Sequence, residues 1–277
     1  MIKNTQTWAV PFAPKSLDNN FDSSLGSLDA VSSCYDSLVE YESIPDQTFN
    51  YISRENLNYY RSEPGGFKLK GKLAEKWYLK ENMKTITFKL REGVKSHWGN
   101  ELTAKDVKWS WVRKLELGGI GGFFASIMGL KKAEQIKIEN KYTVTFNLDK
   151  PSSLILKIHR NPRNYIYDSK KIIDSTADDD PWGKKWVSEN IAGFGPYKMV
   201  SLNKGERFIA VKHNDYWGNK PSINKLIMLQ ETSSNKRTQL LLNKEVEIAQ
   251  FLNFEDIKNI NNRPGINIDK VESSNMV

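Results

Sequence analysis

Three observations predict an α/β fold with mixed sheets for this chain. Short runs alternate with a period of two: Thr85–Leu90 puts Ile86, Phe88 and Leu90 on one side, and Tyr142–Leu148 alternates in the same way. Helical stretches lie between such runs, with apolar residues every fourth position, as in Val107, Trp111 and Leu115. Finally, 277 residues at 39% hydrophobic and 27% charged can bury a sizeable core and are too apolar for a disordered chain.

Taken in order, Trp8-Ala9-Val10 reads as a first strand, ended by Pro11 and Pro14. A polar loop runs from Ser16 to Gly26. A helix follows with Leu28, Val31, Tyr35 and Leu38 on one face, Ser27 as N-cap and Asp29 at the positive end of the dipole. Ser43–Gly66 is polar and aromatic and is broken by Pro45, Pro64, Gly65 and Gly66, which predicts an irregular excursion with one edge strand. Arg91-Glu92-Gly93 stops the strand Thr85–Leu90, and Trp98-Gly99-Asn100 supplies a second turn. Thr103-Ala104-Lys105-Asp106 is a capping box that opens the helix of Val107, Trp111 and Leu115.

Gly118–Leu130 is the most apolar stretch and holds five glycines, so it reads as a buried or cleft-lining loop. It does not match G-x-G-x-x-G, because position 124 is Phe, and no Lys-Ser/Thr follows to make a phosphate loop. Ile136–Ile138 and Tyr142–Leu148 form a hairpin over Glu139-Asn140-Lys141, and a short helix runs from Leu154 to Ile158. Ser175–Trp182 starts a helix with Trp182 and Trp186 one turn apart. Its acids Asp178, Asp179 and Asp180 suit a positive helix end better than a cation, since adjacent side chains cannot all converge. Tyr197–Val200 and Phe208–Val211 pair across Asn203–Glu206. Ile223–Leu229 is a strand, Ser233 and Ser234 cap a helix carrying Leu240 and Leu241, Lys244–Ala249 returns to a strand, and Asn253 caps a last short helix.

The balance of 41 Lys and Arg against 33 Asp and Glu leaves +8, and the pI is near 9.2. The basic residues are scattered, which argues against a nucleic-acid footprint. No run reaches the roughly 18 apolar residues of a membrane helix. Cys34 is alone, at helical spacing from Val31, Tyr35 and Leu38, and reads as a small core residue. His97, His159 and His213 show no metal or acid–base spacing, and there is no G-x-S-x-G elbow. The residues therefore offer no catalytic site, metal site or cofactor.

The stretch LAEKW…ITFKLREGVKSHWGNELTAKDVKWSW closely resembles the signature of the family 5 extracellular solute-binding proteins, the peptide- and nickel-type receptors of bacterial ABC importers. Further likenesses are Ser16-Leu17-Asp18 followed by a helix ending Tyr35-Asp36-Ser37-Leu38-Val39, the strand Tyr142–Pro151, the Gly193–Tyr197 turn, the element His213–Gly218, and Glu245–Ala249. The resemblance implies a type II, periplasmic-binding-protein-like lobe. Residues 1–45 and 175–277 build its main subdomain, 46–174 form a smaller inserted α+β subdomain, and the second lobe is absent. It further implies capture of a small solute, an oligo- or dipeptide, in an interlobe cleft and delivery to an ABC permease. The location is periplasmic or extracytoplasmic, with any signal peptide removed before this numbering begins. By matching positions, the ligand-binding residues are Ser23, Ser24 and Leu25, Phe123 and Phe124, and Gln250 and Phe251. The alternative reading is a truncated interaction or chaperone-like module without small-ligand binding.

Overall fold

The computed structural model describes residues 4–45, 53–55 and 69–268. Its largest sheet has five strands in the order β10-β11-β12-β1-β13. These are β1 (Thr5–Val10), β10 (Tyr197–Asn203), β11 (Arg207–Lys212), β12 (Lys225–Gln230) and β13 (Ile248–Ala249). β10, β11 and β12 form an antiparallel meander, and β1 runs parallel to both β12 and β13. The second sheet is antiparallel, in the order β6-β7-β9-β8. It is built from β6 (Ala74–Leu79), β7 (Thr85–Leu90), β8 (Ile136–Asn140) and β9 (Thr143–Asn147). Two short ribbons pair β2 (Val39–Tyr41) with β5 (Leu69–Gly71), and β3 (Ser43–Pro45) with β4 (Ser53–Glu55). Most of the excursion expected over 43–66 lies outside the described residues.

Each sheet carries its own core. Val10, Phe208, Ala210 and Met228 of the five-stranded sheet pack with Val31 and Cys34 of α1 (Leu25–Cys34) and with Val187 of α6. Ile86, Phe88 and Leu90 bury one face of β7, as the alternation requires. They pack with Val107 and Trp111 of α2 (Ala104–Leu117), and with Ala125 and Met128 of α3 (Gly119–Met128). Thr103 and Asp106 close the expected capping box. The remaining helices are α4 (Ile155–Arg160), α5 (Ser169–Ile173), α6 (Lys184–Glu189), α7 (Ser234–Leu242) and α8 (Phe254–Ile260).

Several expectations change. The glycine-rich stretch is not a loop: Gly118 and Gly119, both at positive φ, turn the chain into helix α3, which ends at Gly129 in the left-handed region. Helix α1 starts three residues earlier than the Ser27 cap implies. Ser24 is the cap, accepting from the Ser27 amide, while the Ser27 hydroxyl donates inward to Ser16 and Asp22. The helix also stops at Cys34, because Tyr35 is extended and the chain there leaves one core for the other. Tyr35 lies in the first and Leu38 in the second. Between them, buried Asp36 accepts from the Tyr216 hydroxyl (3.0 Å) and Trp217 Nε1 (3.1 Å). Burial pushes its carboxyl up to about 6, against the pull of Lys72. The acidic run does serve a helix start, but later than expected. Asp180 accepts from the Lys184 and Lys185 amides, and Trp182 precedes the helix that holds Trp186. Between β8 and β9 the turn shifts to Lys141-Tyr142.

Candidate functional site

The parallel strands β12, β1 and β13 end side by side, with Val10 opposite Gln230 and Ala9 opposite Ala249. In open α/β sheets the loops beyond such carboxyl ends are where ligands bind. Three connections leave this edge: Pro11–Ser24, Glu231–Ser233 and Gln250–Asn253.

The first connection is held by buried polar pairs. Asp18, 2% exposed, meets Arg113 of α2 in a two-pronged ion pair, Nη2–Oδ2 2.6 Å and Nη1–Oδ1 3.2 Å. Arg113 Nε also donates to the Trp182 carbonyl at 2.7 Å. Two residues on, the Asn20 carbonyl accepts from the Ile120 amide (2.9 Å), and Asn20 Nδ2 donates to the Gly118 carbonyl (2.9 Å). This approach needs a glycine in α3: a Cβ at Gly121 would stand 1.9 Å from Asn20 Oδ1. The loop then turns into α1, whose Gly26 lies on the backbone of Phe12 and leaves no room for a Cβ.

The last connection is held by Arg237 of α7. Its buried guanidinium donates to the carbonyls of Glu231 (2.7 Å), Thr232 (2.9 Å), Gln250 (3.0 Å) and Phe251 (2.8 Å). One cation thus fixes two of the three connections. It also supports Phe251 at φ +50°, a left-handed backbone costing a bulky residue on the order of 1–2 kcal/mol. Backbone held in such a state is concentrated at functional sites.

The expected site residues take distinct places. Ser23 is exposed in the turn before α1, Ser24 spends its hydroxyl on the helix cap, and Leu25 is exposed at the first helical position. One turn after Leu25 on α1, Asp29 is partly buried. Burial raises the Asp29 carboxyl above its ordinary range. Phe123 is exposed on α3, whose start is tied to the first connection through Asn20. Phe124 instead packs against the core of the antiparallel sheet. Phe251 is exposed, and the edge also carries Phe12 (56% exposed) and Phe254 (80% exposed). These exposed side chains lie on or next to connections that leave the same sheet edge.

Phe12, Asn20, Arg113 and Arg237 were missed by reading the sequence. Only Phe12 had a local signal: it follows a strand-ending proline. Elsewhere, His97 and His213 form an edge-on ring pair (5.0 Å) beneath one acceptor, the Gly195 carbonyl. Both serve packing, and burial holds His97 down to about 3.

Comparison with known proteins agrees with this geometry. The family model described as bacterial extracellular solute-binding proteins, family 5 Middle, matches residues 68–277. The dipeptide-binding protein of Escherichia coli (strain K12) is 29% identical over 223 residues, covering 74% of this chain and 40% of that protein. The di/tripeptide-binding protein 4 of Pseudomonas aeruginosa (strain UCBPP-PA14) is 26% identical over 227 residues, covering 76% and 42%. Among solved structures, the periplasmic binding protein of Helicobacter pylori in complex with peptide STSA superposes with a TM-score of 0.76 at 21% identity, covering 94% of this chain and 49% of that one. A binding protein of A. tumefaciens R10 in complex with mannopinic acid gives 0.78 at 20% identity, covering 98% and 50%. The chain thus spans half or less of the length of these relatives. A lobe with mixed sheets, an edge of apolar side chains beyond its parallel strands, and a family match over most of its length place this chain among the bacterial extracellular solute-binding proteins of family 5.

Proposed function

We propose that this chain belongs to the substrate-binding component of an ABC importer working outside the cytoplasmic membrane. It supplies one wall of a cleft that captures a short peptide for delivery to a membrane permease. The observation that carries this reading is the edge at Phe12, Leu25, Phe251 and Phe254: exposed apolar groups on or beside connections locked by Arg113 and Arg237. Apolar walls with a few fixed polar groups suit a ligand that is desolvated and then oriented. The peptide class comes from relatives named for di- and tripeptides.

The reading is one of binding without chemistry. The edge does carry hydroxyls, but Ser24 caps α1 and Ser27, whose hydroxyl donates to Asp22, is fully buried at the start of that helix. The second wall and a hinge would close over the ligand, as in other periplasmic binding proteins. The test is calorimetry on the product of the complete reading frame with di-, tri- and tetrapeptides, and with nickel chelates and sugars as controls. Micromolar or tighter binding of a peptide is expected. A cooperatively folded protein that binds no peptide overturns the proposal.

A further inference from the structure

We propose that Lys114 is a positioning residue for the Phe123 side of the site: its charge state sets how firmly α3 sits on the first connection. The inference rests on the proposed binding role of Phe123, while the seating of α3 is tested independently of it.

Lys114 lies near the end of α2 and is 1% exposed. Its Nζ donates to the Ser110 carbonyl at 3.1 Å and lies over the rings of Trp111 (5.2 Å) and Tyr167 (5.5 Å). Among the described residues no carboxylate pairs with it; Asp18, on the first connection, is taken by the adjacent Arg113 at 2.6 Å. By contrast Lys72, which is less buried, has Glu40 at 2.9 Å and Asp36 at 3.7 Å. Helix α3 rests on this unpaired side chain. A Cβ at Gly121 would stand 2.9 Å from Lys114 Cγ and 1.9 Å from Asn20 Oδ1, and one at Gly122 would stand 3.0 Å from the Lys114 carbonyl. Asn20 Oδ1 is itself buried without a partner. Two residues after Gly121, Phe123 is 61% exposed.

A buried ammonium without a counterion is destabilising unless it is neutralised or rehydrated. The ionisable groups around Lys114 do not supply one. Arg113 on α2 repels its charge, and Asp18 is already shared with Arg113. Tyr167 offers only its ring, His159 of α4 packs on Trp111 at 4.8 Å, and α3 has no ionisable side chain. Burial, with Arg113, brings Lys114 down to about 7 from its ordinary 10.5. Neutral, the amine needs no counterion and α3 stays seated. Charged, it is relieved by water, and the side closed only by glycines is the way in. Between pH 7 and 10.5 the seated form holds fewer protons than the lifted form, so seating tightens as pH rises through that window, by up to about tenfold per pH unit. Below about pH 7 both forms are charged, and the seat is at its loosest.

The experiment is amide exchange in α3 of the complete protein from about pH 6.5 to 8.5, corrected for the intrinsic rate. Wild-type protection should stay level below pH 7 and rise several-fold above it, while Lys114→Met should be well protected throughout. Level protection in wild type overturns the inference, and so does the same rise in Lys114→Met. The wild-type series decides the matter even where the variant fails to fold. Affinity for Ala-Ala-Ala is then measured by calorimetry over the same range. The ratio of wild-type to Lys114→Met affinity should rise about threefold or more, a ratio in which the titration of the peptide's own amino terminus cancels. A constant ratio overturns the positioning role and leaves the binding role standing. If folded wild type binds no peptide at any pH, the binding role fails, and exchange alone judges the seat.

Discussion

Arg113→Ala should be among the most damaging single changes in this chain. The guanidinium is fully buried, and Asp18 facing it is 2% exposed, so water cannot replace the lost partner. Truncation strands a buried carboxylate and frees the Trp182 carbonyl from its 2.7 Å bond. Removing one partner of a buried pair costs roughly 3–5 kcal/mol. Replacing both ends, as in Asp18→Leu with Arg113→Met, removes the stranded charge. It still forfeits the Asn20 amide bond to Asp18 Oδ1 (3.1 Å), so the double variant should remain about 1–2 kcal/mol below wild type. The assay is urea unfolding of both single variants and the double variant, arranged as a thermodynamic cycle. The two ends should couple by at least about 2 kcal/mol. Single variants that each lose less than about 1 kcal/mol, with additive effects, would refute the claim that this pair holds the first connection in place.

Three further outcomes follow from the same structure. The rings of His97 and His159 are held down to about 3 by burial, against 6.5 ordinarily, so below pH 6.5 the unfolded chain takes up protons that the folded chain refuses. The stability these rings govern should therefore be complete above about pH 6.5 and fall toward pH 3, by up to about 1.4 kcal/mol per pH unit for each ring. His159→Leu should remove one ring's share of that slope while changing stability at pH 7 by less than about 1.5 kcal/mol, since neither ring nitrogen has a protein partner. An acid limb of unchanged slope would contradict this. Gly121→Ala should lower the melting temperature, by about 1–3 kcal/mol in stability, although alanine is worth about 1 kcal/mol more than glycine in an ordinary helix. A stabilised variant would show that Asn20 is free to move away. Phe123→Ala should leave stability within about 0.5 kcal/mol but weaken peptide binding several-fold. Phe124→Ala should cost about 2 kcal/mol or more as well, because its ring packs on the core. Equal stability for the two variants would undo that distinction.

Much of the architecture could be read along the chain. Alternation in Thr85–Leu90, the Thr103–Asp106 box and the Ser233 and Asn253 caps are signals within a few residues, and the structure keeps each of them. Where reading failed, a distant contact outweighed a local preference. The glycines from 118 to 122 spoke for a loop, yet the helix forms because Asn20, about a hundred residues away, needs a surface without side chains at Gly119 and Gly121. Leu38 fitted the periodicity of α1 but belongs to the other core, so the helix ends first.

What the sequence by itself determined was the inventory: strands and helices in nearly their places, a family signature, and candidate residues grouped in three segments. Only the tertiary structure decided which of these share an edge. Strand β1 pairs with β12 and β13 across more than two hundred residues, and that pairing brings the connection that holds Phe12 beside the one that holds Phe251, with Phe12 packed against α1 at Gly26. Arg113 and Arg237 then gained their meaning, since each is an ordinary basic residue until burial obliges it to find acceptors. Period and capping are local energies that a short window contains. The site is set by pairing register and desolvation, which exist only once distant segments have come together.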